Sequence, residues 1–360
     1  MWILNGLAVR IAQALGLHRD GEQLRLSPFQ SELRRRLWWN LLTRKRRGGE
    51  DYGLESTDRM LLDSDVRLPA NVDDADLDPD MDHLPEPRKS WTPMTFSLIS
   101  IELSKAMQQL DDMVASSSSS KAPREEARLR VMEETRARIE EWLEYCNPVI
   151  PQHRITICCS RFLLQKLNFI TRLRFSLLQR SGPPGGLFTE ENLVEALQIL
   201  NLKLHSEDGL LTQFAWVRKA YPQYHVAMYV LWHLCIQPEG PQIDSAWEAI
   251  EELLAQELGD ESPADHGSMW AVMAALKAKA LSARERARRS TQVSGAAPSV
   301  DCDSLSVSGL SLSEGNAPRA SLLGDTPGSQ LGLEDVRYDW VDWDMLTHDL
   351  QFDSTSGFWQ

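Results

Sequence analysis

The chain has 360 residues, of which 42% are hydrophobic, so it can bury a large core without disulfide or metal staples. Its formal net charge of -14 opposes long-range attraction to phosphate backbones, which excludes a broadly nucleic-acid-coating protein and leaves only local contacts of that kind. Five cysteines, at 146, 158, 159, 235 and 302, include no C-x-x-C pair, a usage that fits free thiols in a reducing compartment.

The chain opens on a helical pattern in which Leu4, Leu7, Ala8, Ile11, Ala14 and Leu15 recur at spacings of three and four. Arg10 and Gln13 interrupt it, and it lacks a basic leader, so neither a signal peptide nor a membrane span is expected here or elsewhere. Gly16 stops this helix, and His18 just beyond is placed to bond its last carbonyls. Ser27-Pro28 opens a second helix, with Phe29, Leu33, Leu37, Trp38 and Leu41 on one face. On that helix Arg34, Arg35 and Arg36 run into Trp38 and Trp39, which raises the question of a nucleic-acid grip. Trp38 reads as a core anchor with the arginines snorkelling outward. Twelve acidic residues between Glu50 and Asp82, against Arg59 and Arg67, supply counter-charge. A second basic cluster, TRKRR at 43–47, reads as a nuclear-import-like patch or a scar of gene assembly.

Residues 48–90, rich in Gly, Pro and Asp, read as an ordered but irregular loop. Helix returns at about 92–114, and a five-serine tract at 116–120 reads as a flexible connector. Amphipathic or apolar helices follow over 123–146, with its charges on the outer face, then 155–178, a segment through Leu193, Leu197, Leu200 and Leu204, 215–235, 246–258 and 269–287. The expected fold is all-α, a multi-helix domain of eight to eleven helices over residues 1–288. From 289 to 332 a Ser/Gly/Pro-rich composition predicts a disordered linker. Residues 333–360 alternate acids with Trp340, Trp343, Leu346 and Leu350. They read either as an activation segment offered to a partner groove or as a short helix docked on the core.

Catalytic signatures are missing: there is no H-E-x-x-H, G-x-S-x-G, phosphate loop or dinucleotide glycine pattern, so an enzyme is not expected. The run NVDDADLDPDMDH imitates a metal site, but a calcium loop counted from Asp74 would need Gly and Glu where Pro79 and Pro85 stand. Leu77 likewise breaks a diphosphate-binding D-D-x-x-D. These aspartates read as loop carboxylates that cap turns or pair with Arg59 and Arg67. No set of four among the cysteines and histidines has zinc-site spacing, although Cys158-Cys159 and His153, or His233 and Cys235, are near in sequence. No cofactor is expected in this chain.

An ordered set of motifs carries a family resemblance: AVRIAQALGLHRDG at 8–21, SELRRRLWWNLL at 31–42, EDYG at 50–53, D-x-R-L-P-x-N-x-D-D-x-D-L from Asp65 to Leu77, and MTFSLISIE at 94–102. Together they resemble the middle homology region of fungal-specific transcription factors, as do YHVAMYVLWHLCIQPEGP and the tail WVDWDML. The residues carrying the resemblance are Gly16, Leu17, His18, Arg19, Arg34, Arg35, Arg36, Leu37, Trp38, Trp39, Glu50, Asp51, Gly53, Leu68, Pro69, Asn71, Asp73 and Asp74.

The resemblance implies a nuclear, pathway-specific regulator of transcription. Its DNA reader would be a two-zinc, six-cysteine cluster that none of these residues forms, so zinc is expected only in an N-terminal domain outside them. DNA would be reached through that domain or a partner. Met1 stands seven residues before the first motif, which implies either upstream exons or a relative without its own DNA reader. Implied partners are a coactivator, other transcription factors or a second copy, with a small-molecule effector also admissible. The alternative is a ligand-binding or dimerising helical scaffold that modulates other factors.

Overall fold

The computed structural model describes residues 2–51, 64–116, 125–178, 187–201, 211–258 apart from 215, 218–220 and 222, and 268–294. Among these, the chain forms nine long α-helices and no strand, as the helical periodicity predicts. They are α1 (Trp2–Ala14), α2 (Pro28–Asp51), α3 (Thr95–Ser116), α4 (Glu125–Leu143), α5 (Pro151–Leu178), α6 (Glu190–Leu200), α7 (Tyr224–Ile236), α8 (Ile243–Leu258) and α9 (Ser268–Ser294). The last helix continues past residue 288 into the segment read as linker, through residues such as Arg288 and Arg289 that favour helix. Most of the serine tract, the rest of the linker and the acidic aromatic segment with Trp340, Trp343, Leu346 and Leu350 lie outside the described residues.

Three apolar clusters share two walls. The first gathers Val9 and Ala12 of α1, Leu17, Trp38, Trp39 and Leu42 of α2, Val66, and Leu98 and Ile101 of α3. The second lies between α3, α4 and α5, around Ile99, Leu110, Ile139, Leu167 and Phe175. The third packs another side of α5, through Phe162, Phe169 and Leu173, against α6 to α9. Thus α3 belongs to the first and second clusters, and α5 to the second and third. At the centre of the third, α7 is buried along its whole length from Val226 to Leu231 and again at His233 and Leu234. Only a helix apolar on all sides can occupy such a place.

Local signals set several boundaries. Gly16 adopts φ +69°, and the N–H groups of Gly16 and Leu17 bond the carbonyls of Gln13 and Ala12 at 2.9 and 2.8 Å, the left-handed stop expected of glycine. Ser27 Oγ accepts from Gln30 N at 3.3 Å ahead of Pro28, opening α2. Thr189 caps α6 by accepting from Asn192 N at 3.2 Å.

In three helices the buried side departs from what the sequence pattern suggests. The stripe Leu4, Leu7 and Ile11 of α1, with Leu15 just past its end, is exposed, and the helix rests on Val9 and Ala12. In α2 Trp38 is fully buried, contributing on the order of 3 kcal/mol, but Leu33 and Leu37 face outward. Its inner side carries Ser31, Glu32, Arg35, Trp39, Leu42 and Arg46, because polar groups there meet partners from the loop and from α3. In α4 Arg128 turns inward rather than along the outer face, with Nη1 donating to Asn168 Oδ1 at 2.8 Å and Nε to Glu125 Oε1 at 2.8 Å. Residues 64–90 are irregular as expected, but α2 runs through Gly48 and Gly49 to Asp51 before the loop.

Candidate functional site

The motif residues scattered over 16–74 converge where the α1–α2 connection and the 64–76 segment both close on α2. Arg34 Nη2 donates to the carbonyls of Leu15 and Gly16, at 3.2 and 2.6 Å, and so caps the C-terminus of α1 from a neighbouring helix. His18 does not take that role: its ring lies 6.3 Å from Trp38, and Nδ1 has no hydrogen bond among the described residues. Beneath the cap, Arg35 holds Asp20 by a two-pronged pair, Nε to Oδ2 and Nη2 to Oδ1, each at 2.8 Å. The same Nη2 reaches Glu22 Oε1 at 2.7 Å. The backbone N–H groups of Arg67 and Glu22 complete the Asp20 carboxylate at 3.0 and 3.1 Å.

Burial alone would raise the Asp20 pKa, but the Arg35 bonds and the two N–H donors outweigh it and hold the carboxyl at about 2. Asp65 is likewise lowered, by the N–H of Asp20 at 2.8 Å and by Arg19 Nε at 2.9 Å. Gly21 sits so close to α2 that a Cβ would stand 2.7 Å from Ser31 Cα, which is why the connection can press its carboxylates onto Arg35.

A second clasp closes one turn along. Glu32, wholly buried, accepts from Arg36 Nε at 2.9 Å and from Ala70 N at 3.1 Å. Arg36 reaches on to Asp74 Oδ1 at 2.5 Å and to the Val72 carbonyl at 3.3 Å. Trp39 Nε1 donates to the Arg67 carbonyl at 2.8 Å. Asn71 then ties the loop to the start of α3: its Nδ2 donates to the carbonyls of Arg88 and Ser90, and its Oδ1 accepts from Thr92 and Thr95. Asp73 caps the short turn Asp74–Asp76, whose Asp76 pairs with Arg88.

The expected outward arginines are therefore a correction: Arg35 is buried, and all three donate within the chain. The pairing expected between loop aspartates and Arg67 is corrected too, since Arg67 meets Glu22 while the aspartates meet Arg36 and Arg88. Pro69 is buried, Leu37 and Leu68 are exposed, Glu50 and Asp51 lie at the end of α2, and Gly53 and Arg59 fall outside the described residues. Asp20, Glu22 and Glu32 were not singled out from sequence. Asp20 was the legible one, as the acid next to the arginine-bearing stop GLHR.

The second basic cluster is also built in. Arg46 is buried, donating to Gln108 Oε1 at 2.7 Å and to Asp111, which also accepts from Arg174 at 2.6 Å. The Arg47 guanidinium lies 3.9 Å over the Tyr221 ring. These contacts tie α2 to α3, α5 and the approach to α7, so neither an import patch nor a scar describes Arg46 or Arg47. What the clasps can do is structural: their guanidinium and carboxylate groups hold one another, and no nucleophile and base stand together among them.

In the carboxyl half, an open groove of about 610 Å³ runs between α5, α6 and α8, lined by Gln165, Val194, Leu197, Gln198, Asn201, Gln242 and Ser245. All its polar lining groups are uncharged. His233 is a core histidine, its pKa pushed down to about 4 by burial. Cys159 is buried and its thiol is pushed up to about 12 by burial. Among the described residues no three His, Cys, Asp or Glu side chains converge as a metal-binding group, and no helix is long and apolar enough to cross a membrane.

Residues 1–144 match the family model described as the fungal specific transcription factor domain. Among curated proteins, the chain is 26% identical over 76% of its length to the aurofusarin cluster transcription factor of Gibberella zeae, covering 41% of that protein. It is 28% identical over 70% of its length to the pyriculol/pyriculariol biosynthesis cluster transcription factor 1 of Pyricularia oryzae, covering 35% of that protein. It is 27% identical over 79% of its length to the transcriptional regulator AacuB of Aspergillus aculeatus, covering 39%. The chain thus spans about two fifths of the length of these relatives. No solved structure matches it. The clasped motif segments 8–21, 31–42 and 65–77 all fall inside the match, so residues 1–144 carry the fungal specific transcription factor domain.

Proposed function

We propose that this chain is the regulatory and interaction region of a pathway-specific regulator of transcription that acts in the nucleus. The observation that carries the reading is the family domain at 1–144 combined with transcription regulators, two of them named for biosynthetic clusters, that align with 70 to 79% of the chain. In this reading residues 1–288 are the helical regulatory domain, and 289–332 tether residues 333–360 as an acidic activation segment. Trp340, Trp343, Leu346 and Leu350 would enter a hydrophobic groove of a coactivator, with Asp339, Asp342, Asp344 and Asp349 aiding encounter. DNA would be reached through a zinc cluster outside this chain or through a partner factor. The inward pairing of Arg34, Arg35 and Arg36 supports assigning no DNA contact to them. The test is a reporter assay with residues 331–360 fused to a foreign DNA-binding domain. Activation that disappears when Trp340 and Trp343 become alanine supports the segment; silence of the fusion, or indifference to both changes, rejects it.

A second reading, an effector-binding scaffold that modulates other factors, would use the open groove between α5, α6 and α8. Its uncharged amide and hydroxyl lining suits a neutral, hydrogen-bonding ligand. Ligand-dependent melting of the chain, abolished by Gln198→Leu with Gln242→Leu, is its expected signature.

A further inference from the structure

The last helix is basic in a chain whose net charge is -14. Between Lys277 and Arg289, α9 carries six cations and a single acid, Glu285. Two of the six are turned to one flank, where Lys277 meets Glu251 and Arg284 meets Asp244 of α8, at 2.8 and 2.7 Å. Lys279, Arg286 and Arg289 stand together elsewhere: at about 100° per residue they and Ser282 fall within roughly 80° of one another, and all four are exposed. Around them, Arg286 Nε donates to the Ser282 carbonyl at 3.3 Å, and Glu285 comes within 3.9 Å of Arg289. A helix terminus favours cations within its last turn, whereas Lys279 and Arg286 lie about two turns or more before Ser294, so the end of α9 does not account for them.

The complementary pattern is written near the end of the same chain. Residues 333–353 hold seven carboxylates against Arg337. Asp335, Asp339, Asp342, Asp349 and Asp353 recur at intervals of four, three, seven and four, which on a helix would gather all five within roughly 80° and put Arg337 on the far side. From Asp339 to Asp349 and from Lys279 to Arg289 the helical rise is the same, roughly 15 Å, so the two stripes match in length as well as in sign.

We infer that residues 333–353 dock as a helix along the Lys279–Arg289 side of α9, acid stripe to basic stripe. Proximity selects this occupant over an acidic segment of another protein. The helix ends at Ser294, and residues 295–332, as the flexible tether that their composition predicts, would reach roughly 35 Å, about twice the length of the stripe. An effective concentration in the millimolar range follows, which lets ion pairs that are individually weak hold the segment. Because such pairs are exposed, the contact is reversible and loosens with salt. It does not depend on whether residues 333–360 activate transcription: the reporter fusion of residues 331–360 lacks α9 and tests only that reading.

The test is hydrogen exchange on the full chain, followed by mass spectrometry at about 50 and 500 mM salt, where the Debye length falls from roughly 14 to 4 Å. Peptides from 333–353 should exchange about threefold or more slowly at the lower salt than at the higher, whatever the chain concentration. Lys279→Glu with Arg286→Glu and Arg289→Glu should abolish that protection and leave the exchange of α7 unchanged. Adding Asp339→Lys, Asp342→Lys and Asp349→Lys should restore it. Should the glutamate variant fail to fold, zero-length carbodiimide coupling of the unaltered chain should join the Lys279 amine to a carboxylate within 334–353. Equal exchange at both salts, protection indifferent to the glutamates, protection that grows with chain concentration, or coupling of Lys279 only to carboxylates elsewhere would each overturn the inference.

Discussion

At Asp20, four N–H groups reach one carboxylate: two from Arg35 and one each from the backbones of Arg67 and Glu22. With side-chain exposures of 2% for Asp20 and 7% for Arg35, water cannot replace either partner if the pair is broken. Asp20→Asn is therefore expected to cost about 3 kcal/mol in urea unfolding, because buried Arg35 is left with Glu22 as its one counter-charge. The paired change Asp20→Leu with Arg35→Met should cost less than the two single changes added together, by at least about 1 kcal/mol. Acidification should show two separate losses. His233 has a folded pKa near 4, below the ordinary 6.5, so the unfolded chain takes up a proton first and stability falls as pH drops from about 6.5 to 4, by up to roughly 3 kcal/mol. Asp20, held near 2 against 3.8, contributes above 3.8 and loses that contribution as pH falls through 3.8 to 2. His233→Leu should remove the upper loss and leave the lower, which unfolding curves at stepped pH would display.

The α1–α2 connection works because two glycines do different jobs. Gly16 stands at φ +69°, where a side chain is strained even though the nearest atom to an added Cβ, Arg34 Nη2, lies at an ordinary 3.6 Å. Gly16→Ala should cost about 1 kcal/mol. At Gly21 the obstacle is backbone, Ser31 Cα at 2.7 Å, so Gly21→Ala must push the connection off α2 and loosen the Asp20–Arg35 pair with it. Its cost is expected at about 2 to 3 kcal/mol, more than at Gly16, and thermal melting of the two variants checks the order. In α2, the second half of the helix acts as a tie rather than a free basic surface, since Arg46 shares Asp111 with Arg174 of α5.

Over the whole molecule, the shared walls α3 and α5 join the three clusters into one body. Asp111 lies at that junction, between Arg46 and Arg174. Asp111→Ala is expected to destabilise the chain by about 3 kcal/mol and to lower the melting of both halves together, because Arg46 and Arg174 both lose the carboxylate they share. Hydrogen exchange should find the slowest amides in α7, which is buried on all sides, and much faster exchange in α1, which rests on little beyond Val9 and Ala12.

How much of this was legible beforehand differs by kind of signal. Helices, the stop at Gly16, the start at Ser27-Pro28 and the family motifs follow from periodicity, capping chemistry and residue order, which are local and written along the chain. The identity of Trp38 as an anchor was legible for the same reason. Which face of a helix is buried was not. Leu33, Leu37 and the α1 stripe look like core by hydrophobicity, yet stand outside, while Arg35, Glu32, Arg46 and Arg128 look like surface and stand inside. A charge can be buried only when an exact partner comes to meet it, and those partners, Asp20 beside Arg35, Ala70 N–H beside Glu32, Asp111 beside Arg46 and Asn168 beside Arg128, arrive from 15 to 65 residues away. Periodicity and motif order, written along the chain, make it legible that this protein is helical and which family its motifs resemble; that its arginines close the fold and that its first helix turns an apolar face outward comes from packing alone, because desolvation is settled by neighbours distant in the chain.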